Sequence, residues 1–319
     1  MTLALKGGAV DVSVLVPARD EAENLPEFLA QCAAALAPGK IAYEVLVIND
    51  GSTDRTAAVL TDLQAQHGFL RATQHRVGRG IASALRTGAE HARGRVFVFY
   101  PADLQFKPED IPRLAEPVVA GEADIITGFK QGKYEKAFVS GIYNGLSRRL
   151  FNVGVRDLNN VKAYVREVMD SVPDRPDWHR YMVVVAAAQG FSVREIPVTV
   201  YPRHAGRSKF GLSRIPIGVL DMLAVWFELR FGKKPLLLFG TLGAALFGVG
   251  LIAGVAALTA LALYGIGTRA VWTVVQTCLI LGSVFFATGL LGEQIAAQRA
   301  ELRDLRRRVD SADAASPRD

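Results

Sequence analysis

The sequence predicts an α/β fold with a mostly parallel sheet, followed by an interfacial helix and a two-helix transmembrane hairpin. Three observations carry this prediction. Strand-like apolar runs alternate with helix-like runs through residues 12–127, as in sheets built from βαβ units. Two of those strands end in acidic turns, at residues 49–54 and 101–105. Two long uncharged segments, 235–263 and 270–292, follow towards the carboxyl terminus.

The predicted elements follow one another without internal repeats. The strand-like runs are short and rich in Val, Ile and Phe, whereas the helix-like runs repeat apolar residues at three- and four-residue spacing. Predicted strands cover 12–16, 43–48, 96–100 and 123–127. Predicted helices cover 21–36, a segment capped by Ser52 or Thr53 that reaches Gln66, and 81–92, which Gly78-Arg79-Gly80 opens.

Composition limits the class of protein and its partners. The chain has 319 residues, half of them apolar, and a net charge of only +6. Basic residues concentrate in 203–234, next to the first uncharged segment, which suits anionic lipid or phosphate and does not indicate a nucleic-acid partner. The two cysteines, Cys32 and Cys278, imply no disulfide framework. We therefore expect a cytosolic catalytic domain. Residues 1–10 lack the apolar region and cleavage site of a secretory signal.

The two uncharged segments are each long enough to cross about 30 Å of hydrocarbon as a helix. Six residues, 264–269, connect them and carry one arginine, whereas Lys and Arg flank both outer ends. The positive-inside rule then predicts an integral, multi-pass protein of the cytoplasmic membrane with both termini in the cytoplasm. The alternative, a helical hairpin buried in a soluble core, would need unusually long uncharged core helices.

Five regions follow from these patterns. They are a cytosolic catalytic domain at 1–210, a juxtamembrane amphipathic helix region at 211–234, transmembrane helices at 235–263 and 270–292, and a helical or disordered tail at 293–319. In the tail, Ile295, Leu302 and Val309 recur every seven residues with Leu305 between them. This seam is compatible with a homo-oligomer and also with a solvated helix.

The two acidic turns contain the candidate ligand-binding residues. Carboxyl ends of parallel strands are where open α/β sheets bind ligands, and Asp50 and Asp103 both follow strands. Asp103 and the amide oxygen of Gln105 are hard donors, suited to Mg²⁺ or Mn²⁺. Asp50 can accept hydrogen bonds from a ribose or a base. Each turn can alternatively be an ordinary polar turn or helix cap.

Four motifs together resemble the family 2 glycosyltransferases of GT-A fold. Within that family the chain is most similar to the polyprenyl-phosphate (dolichol-phosphate) mannose and glucose synthases. The motifs are Val-Pro-Ala-Arg-Asp-Glu at 16–21, Asn-Asp-Gly-Ser-Thr-Asp at 49–54, Ala-Asp-Leu-Gln at 102–105 and Arg-His-Ala-Gly-Arg-Ser-Lys at 203–209. The resemblance covers roughly residues 10–215, and the hairpin resembles the anchor of some bacterial members.

The resemblance implies roles for individual residues. The nucleotide pocket would be lined by Pro17, Arg19, Glu21, Ile48 and Asp50. The diphosphate and the metal would be held by Ala102, Asp103 and Gln105, with Asp103 and Gln105 as the metal ligands and Lys130 as a basic donor-site residue. The predicted catalytic residues are Asp103, on the side of the nucleotide-sugar donor, and Arg203 and Lys209, which would position the lipid phosphate. Arg203 and Lys209 are also predicted to bind the cofactor and the nucleotide sugar. Alternatively, Lys130 is a surface lysine and 203–209 a basic belt against lipid.

The implied reaction transfers a sugar from GDP-mannose or a UDP-hexose to undecaprenyl or dolichyl phosphate at the cytoplasmic membrane face. The phosphate oxygen is already an anion near neutral pH, so direct displacement with inversion needs no strong general base. By residue type alone, the residues expected to contact the base do not select between nucleotides. A glycosyltransferase acting on another lipid or glycan remains the alternative enzyme.

Two positions depart from the family pattern. Pro101 stands where most relatives have the first Asp of Asp-Ala-Asp, so one donor contact is lost and a catalytically degenerate membrane scaffold becomes an alternative. The run 156–162, Arg-Asp-Leu-Asn-Asn-Val-Lys, lacks the usual Gly- or Phe-containing stretch. Asp157 within it can position an acceptor or cap a loop.

Overall fold

A computed structural model describes residues 10–39, 41–131, 145, 148–151, 154–158, 160–172, 178–202, 215–265, 267 and 269–315. The chain divides into two compact units, Met1–Leu220 and Asp221–Asp319. The first unit contains a sheet and its flanking helices, and the second contains two long apolar helices.

Seven strands of the described chain form one sheet in the order β3-β2-β1-β4-β6-β5-β7. They are β1 (Val12–Ala18), β2 (Tyr43–Asp50), β3 (Leu70–His75), β4 (Val96–Phe99), β5 (Ile125–Gln131), β6 (Lys162–Val165) and β7 (Val193–Thr199). Every neighbouring pair is parallel except those of β6, which runs antiparallel to β4 and β5. The predicted, mostly parallel α/β sheet is confirmed.

Because of the directions in which the strands run, most of the strand ends that carry polar residues lie at one edge of the sheet. There β2 ends at Asp50 and β4 at Phe99, while the antiparallel β6 begins at Lys162, in register with Phe99. We call this the carboxyl edge. In sheets of this kind it is the edge that binds ligands.

Helices cover both faces of the sheet. They are α1 (Leu25–Leu36), α2 (Thr56–Gln66), α3 (Ile81–His91), α4 (Asp110–Val119), α5 (Arg166–Ser171) and α6 (Trp178–Ala188), and α7 (Ile215–Phe231), α8 (Pro235–Tyr264) and α9 (Arg269–Ala315) follow. Alternation along the strands divides the core. Val45 and Val47 of β2 pack in one cluster with α1, α2 and α4, whereas Leu46 and Ile48 pack in the other with α3, α5 and α6. Both faces of the sheet are thus buried, which is why its strands read as continuous apolar runs.

Two helices begin later than the sequence pattern suggests. The first begins at Leu25 instead of residue 21, with a proline in its first turn. The second begins at Thr56, without a side-chain cap, because Ser52 and Thr53 are tied to the loop after β1. Local capping patterns predicted the helices but not this contact between loops.

Helices α8 and α9 pack antiparallel along their length. Position 243 lies against the backbone of Phe286, and position 254 against Val275. The segments Pro235–Tyr264 and Arg269–Leu302 are long and apolar enough to cross a membrane, and little of either is buried within the chain. Exposed side chains such as Ile252 and Leu291 therefore need an apolar environment outside the protein.

Candidate active site

The loops after β1 and β2 are joined by hydrogen bonds at the carboxyl edge. The Asp20 amide donates to Ser52 Oγ (2.9 Å), and the Thr53 amide donates back to Asp20 Oδ1 (2.8 Å). The Glu21 amide donates to Thr56 Oγ1 (3.0 Å). These contacts hold the two loops as one wall of the edge, so several polar residues of the 49–54 turn have a structural role.

Asp50 lies at the end of β2 with only 6% of its side chain exposed. Its Oδ1 accepts from the Arg79 amide (2.7 Å) and is 2.8 Å from His75 Nδ1, while Oδ2 accepts from the Gly80 amide (2.7 Å). Burial alone would raise the pKa of this carboxyl, but the Arg79, His75 and Gly80 hydrogen bonds outweigh it and hold the pKa below its usual range. Asp50 is therefore an ionised carboxylate that fixes the loop 76–80.

His75 is a part of this network that the sequence did not reveal. Its Nδ1 faces Asp50, and its Nε2 lies 3.0 Å from Thr87 Oγ1 on α3. A lone histidine at the end of a strand gives no local signal. It is recognisable only once β2 and β3 are placed side by side, in the register that pairs Asp50 with His75.

The loop after β3 closes tightly over the loops after β1 and β2. Gly51 has φ +65°, and a Cβ at this position would lie 2.3 Å from the Gly78 nitrogen. A Cβ on Gly78 would in turn lie 2.5 Å from a guanidinium nitrogen of Arg19. At position 51 the close atoms are backbone and φ is positive, so only glycine fits there, whereas a Cβ at position 78 would require the Arg19 side chain to move. It brings Arg19 and Asp50, two of the predicted nucleotide residues, into one cluster of loops.

The remaining predicted nucleotide residues differ in accessibility. Pro17 and Glu21 are half-buried at the carboxyl edge, and Glu21 Oε2 accepts from Asn24 Nδ2 (2.6 Å). The Ile48 side chain is fully buried and packs at Gly88 of α3. Ile48 therefore lies in the core beneath the carboxyl edge.

The turn after β4 carries the predicted metal ligands. Asp103 and Gln105 are half-buried, and the Gln105 amide donates to Asp103 Oδ1 (3.2 Å). Between them Leu104 takes a left-handed φ of +56°. Ala102 is 2% exposed, and Pro101 is half-buried. The two oxygen-bearing side chains thus belong to one compact turn.

The donor set of this turn fits a divalent metal that shares its coordination with substrate. No group of three or more His, Cys, Asp or Glu side chains that could hold a metal occurs among the described residues. A Mg²⁺ or Mn²⁺ ion at Asp103 and Gln105 would thus have a partial protein shell of hard oxygens. This is usual for Mg²⁺, which completes its shell with water and substrate phosphates.

A second cluster lies at the same edge, around the start of β6. Lys130 Nζ is 3.2 Å from Asp157 Oδ2. Lys162 is fully buried, and its Nζ donates to the carbonyl oxygens of Leu158 (2.9 Å) and His179 (3.1 Å). Lys130, the predicted donor-site residue, is therefore held by an ion pair to Asp157. Lys162 ties the loop that carries Asp157 to α6.

Burial sets the charge state of this second cluster. Desolvation lowers the pKa of Lys162 to about 8, although the nearby Asp157 partly opposes this. Burial, together with the neighbouring Lys162 and Arg180, lowers the pKa of His179 to about 3. His179 is therefore neutral at physiological pH. Within the described part of the chain, its Nδ1 has no hydrogen-bond partner.

Two predicted catalytic residues, Arg203 and Lys209, lie outside the described residues. The chain that leads to them is described as far as Pro202. The Tyr201 amide donates to the Gln105 carbonyl (2.9 Å), and Lys107 Nζ lies 4.5 Å from the centre of the Tyr201 ring. The described chain therefore leaves β7 beside the turn that holds Asp103.

Known proteins share both sequence and fold with this chain. The family model described as Glycosyl transferase family 2 matches residues 13–153. A dodecaprenyl-phosphate galacturonate synthase of Rhizobium johnstonii is 29% identical over 306 residues, which cover 90% of this chain and 88% of that protein. An undecaprenyl-phosphate 4-deoxy-4-formamido-L-arabinose transferase of Sodalis glossinidius is 29% identical, covering 89% and 88%.

Solved structures agree on the fold. A glucosyl-3-phosphoglycerate synthase from Mycobacterium tuberculosis, in complex with Mn²⁺, UDP and phosphoglyceric acid, has a TM-score of 0.56 at 20% identity and covers 68% of this chain and 78% of that one. The same enzyme with Mg²⁺ and UDP has a TM-score of 0.54, with 68% and 79% covered. The sheet, the loops at its carboxyl edge and these matches lead to one assignment: residues 13–153 match a Glycosyl transferase family 2 domain, and the fold is GT-A-like.

Proposed function

We propose that this chain transfers a sugar from a UDP-sugar to the phosphate of a polyprenyl phosphate at the cytoplasmic face of a membrane. The observation that carries the proposal is the placement of Asp50 and Asp103. They follow β2 and β4, which flank β1 in the sheet, so both acidic turns belong to one edge. The named relatives, which act on dodecaprenyl or undecaprenyl phosphate, support the acceptor.

The hydrogen bonds of Asp50 favour uridine over guanosine. A carboxylate offers about four acceptor positions, and donors from the described residues occupy three of them on Asp50. One position remains, which suits the single imide N–H of uracil. Guanine presents two adjacent donors on its corresponding edge and would need both oxygens. Asp50 therefore supports a UDP-sugar over GDP-mannose.

The donor diphosphate would be held at the turn after β4. A divalent metal bound there by Asp103 and Gln105 supplies positive charge that stabilises the leaving nucleoside diphosphate. Pro101 removes one carboxylate from the turn but leaves these two ligands in place. Lys130, oriented by Asp157, adds a cation at the same edge.

The acceptor needs positioning more than activation. Its phosphate monoester has a second pKa of about 6, so an oxygen anion is available at neutral pH. That oxygen forms a bond to the anomeric carbon while the bond from this carbon to the UDP oxygen breaks, and UDP leaves with the electron pair. Attack from the opposite side inverts the anomeric configuration. Arg203 and Lys209 are the cations proposed to hold the acceptor phosphate.

The apolar helices fit the lipid acceptor. Exposed apolar side chains along α8 and α9 support a transmembrane hairpin that keeps the enzyme where its acceptor resides. Lysines and arginines at both outer ends of the hairpin support a cytoplasmic placement of the catalytic domain.

A transfer assay tests the proposal. Purified protein in nanodiscs would receive undecaprenyl phosphate, Mg²⁺ or Mn²⁺, and labelled UDP- or GDP-sugars in turn, and label in the organic phase would be counted. We expect a lipid product from a UDP-sugar, lost with EDTA and reduced at least about 100-fold, or about 2.7 kcal/mol, by Asp103→Ala. The matched control Asp62→Ala removes an exposed carboxylate of α2 and should keep full activity. Transfer from GDP-mannose alone would overturn the donor assignment.

Pro101 favours one second candidate, a catalytically inactive membrane scaffold. This candidate predicts no transfer from any donor and no nucleotide binding by the natural chain. It also predicts that Pro101→Asp, which restores a carboxylate to the turn, creates metal-dependent nucleotide binding. Equal UDP binding by the natural chain and by Pro101→Asp would exclude the scaffold.

A further inference from the structure

Helix α9 extends well beyond its partner in the hairpin. Helix α8 begins at Pro235, which lies against Gly292 of α9. The Leu236 amide donates to Glu293 Oε2 (3.3 Å), so Glu293 marks the level at which α8 begins. The continuous helix then runs to Ala315. At 1.5 Å per residue, 294–315 project about 33 Å past this point.

The projecting part carries an apolar stripe at heptad spacing. Ile295, Leu302 and Leu305 are each at least half exposed, at 51%, 58% and 50%. With Ile295 at position a, the a and d positions from 291 to 312 are Leu291, Ile295, Gln298, Leu302, Leu305, Val309 and Ala312. Ile295 and Val309 are β-branched residues at a, and Leu291 and Leu305 stand at d, which is the combination that favours a two-stranded parallel coiled coil. Leu302 at a and Gln298 at d depart from it.

The membrane dictates the direction of any such pairing. Two copies inserted in one membrane with the same orientation send their α9 extensions out of the same face in the same direction. Their extensions can therefore pair in parallel without bending. An antiparallel pair would require two membranes or opposite insertions.

The charges at the flanking positions complement this parallel arrangement. In a parallel dimer the g residue of one helix faces the e residue five positions later in the other. Glu301 at g then pairs with Arg306 at e, and Arg308 at g pairs with Asp313 at e. Both pairs have opposite charge and each occurs twice in a dimer. An antiparallel pair would instead bring arginines at the e positions together.

We propose that residues 291–312 of α9 form a parallel two-stranded coiled coil with the same residues of a second copy of this chain. The narrow a/d stripe suits a partner helix, whereas a helix lying on lipid usually has a wider apolar face. Helix α9 contains no proline that would bend its extension towards the membrane. The inference stands independently of the sugar, the nucleotide and the acceptor.

Site-directed crosslinking of the full chain in nanodiscs tests the pairing. In a Cys32→Ser, Cys278→Ser background, Leu302→Cys places a thiol at position a, where two copies meet within disulfide reach. The matched control Ala300→Cys places it at the outward-facing position f. We expect a disulfide-linked dimer for Leu302→Cys and at least several-fold less for Ala300→Cys. Equal crosslinking at both positions would overturn the proposal.

Charge reversal tests the partner and its orientation. Glu301→Arg places like charges opposite Arg306, so the dimer fraction measured by light scattering in detergent should fall several-fold. The double variant Glu301→Arg with Arg306→Glu should restore it, because the pairs are re-formed in reverse. A double variant no more dimeric than Glu301→Arg would contradict the coiled coil. So would a natural chain that is monomeric in nanodiscs with its extension protected by lipid.

Discussion

Replacing Lys162 by Met should change how the stability of the catalytic unit depends on pH. Lys162 is fully buried, and its pKa lies at about 8 compared with an ordinary value of 10.5. Between these values the unfolded chain binds a proton that the folded chain does not, so the free energy of unfolding rises with pH. At about 1.36 kcal/mol per pH unit, the whole interval corresponds to about 3.4 kcal/mol. Because titration is incomplete near pH 8, the rise from pH 8 to pH 9.5 is about 1.6 kcal/mol.

The Lys162→Met variant keeps the length and apolar stem of the side chain but cannot titrate. Urea unfolding followed by the fluorescence of Trp178, in a Trp226→Phe, Trp272→Phe background, reports on α6 directly beside the site. We expect the stability of the Lys162 protein to rise relative to that of Lys162→Met by about 1.6 kcal/mol between pH 8 and pH 9.5. Subtracting the free energy of unfolding of Lys162→Met from that of the Lys162 protein at each pH cancels the contribution of tyrosine titration, which both proteins share. Parallel pH dependences, or a difference of opposite sign, would refute the buried, partly deprotonated lysine.

Three further predictions concern the carboxyl edge. His179, with a pKa lowered to about 3, stays neutral in the folded state, while the unfolded chain takes up a proton below about pH 6.5. The free energy of unfolding should therefore fall by up to about 1.4 kcal/mol per pH unit on acidification. The His179→Gln variant should lose this pH dependence in the same unfolding assay. Gly51→Ala places a Cβ 2.3 Å from the Gly78 nitrogen at a φ of +65°, so UDP binding measured by calorimetry should weaken at least about tenfold. The control Gly68→Ala, which has open space around the added Cβ, should bind UDP as the natural chain does. Asp50→Asn keeps the shape but loses charge-assisted hydrogen bonds from the loop 76–80, so the KM for the UDP-sugar should rise about tenfold with a smaller change in kcat, and an unchanged KM would contradict its place in the donor site.

Local pattern was sufficient to predict most of the fold. The strands of the parallel sheet are apolar runs followed by polar turns, so β1, β2 and β4 and the acidic residues after them could be read directly. The long uncharged segments likewise predicted α8 and the apolar part of α9. The apolar part of α9 and the tail form one continuous helix because no helix stop signal follows Gly292.

The second cluster at the carboxyl edge could not be predicted in this way. Lys162 resembles a surface lysine in sequence, and it is buried only because β6 runs antiparallel between β4 and β5. His75 similarly gains its role from the register of β3 with β2. Both residues depend on contacts distant in sequence, which periodicity does not record.

We propose that the turn after β4 binds a metal-complexed nucleoside diphosphate although Pro101 stands where the family pattern has an aspartate. Calorimetric titration of UDP into the purified protein, with Mn²⁺ and then with EDTA, tests it most directly. The account predicts saturable UDP binding that requires Mn²⁺ and weakens at least about tenfold, or about 1.4 kcal/mol, in Asp103→Ala, while Asp62→Ala binds as the natural chain does. UDP binding that is absent, or that is unaffected by both EDTA and Asp103→Ala, would contradict it.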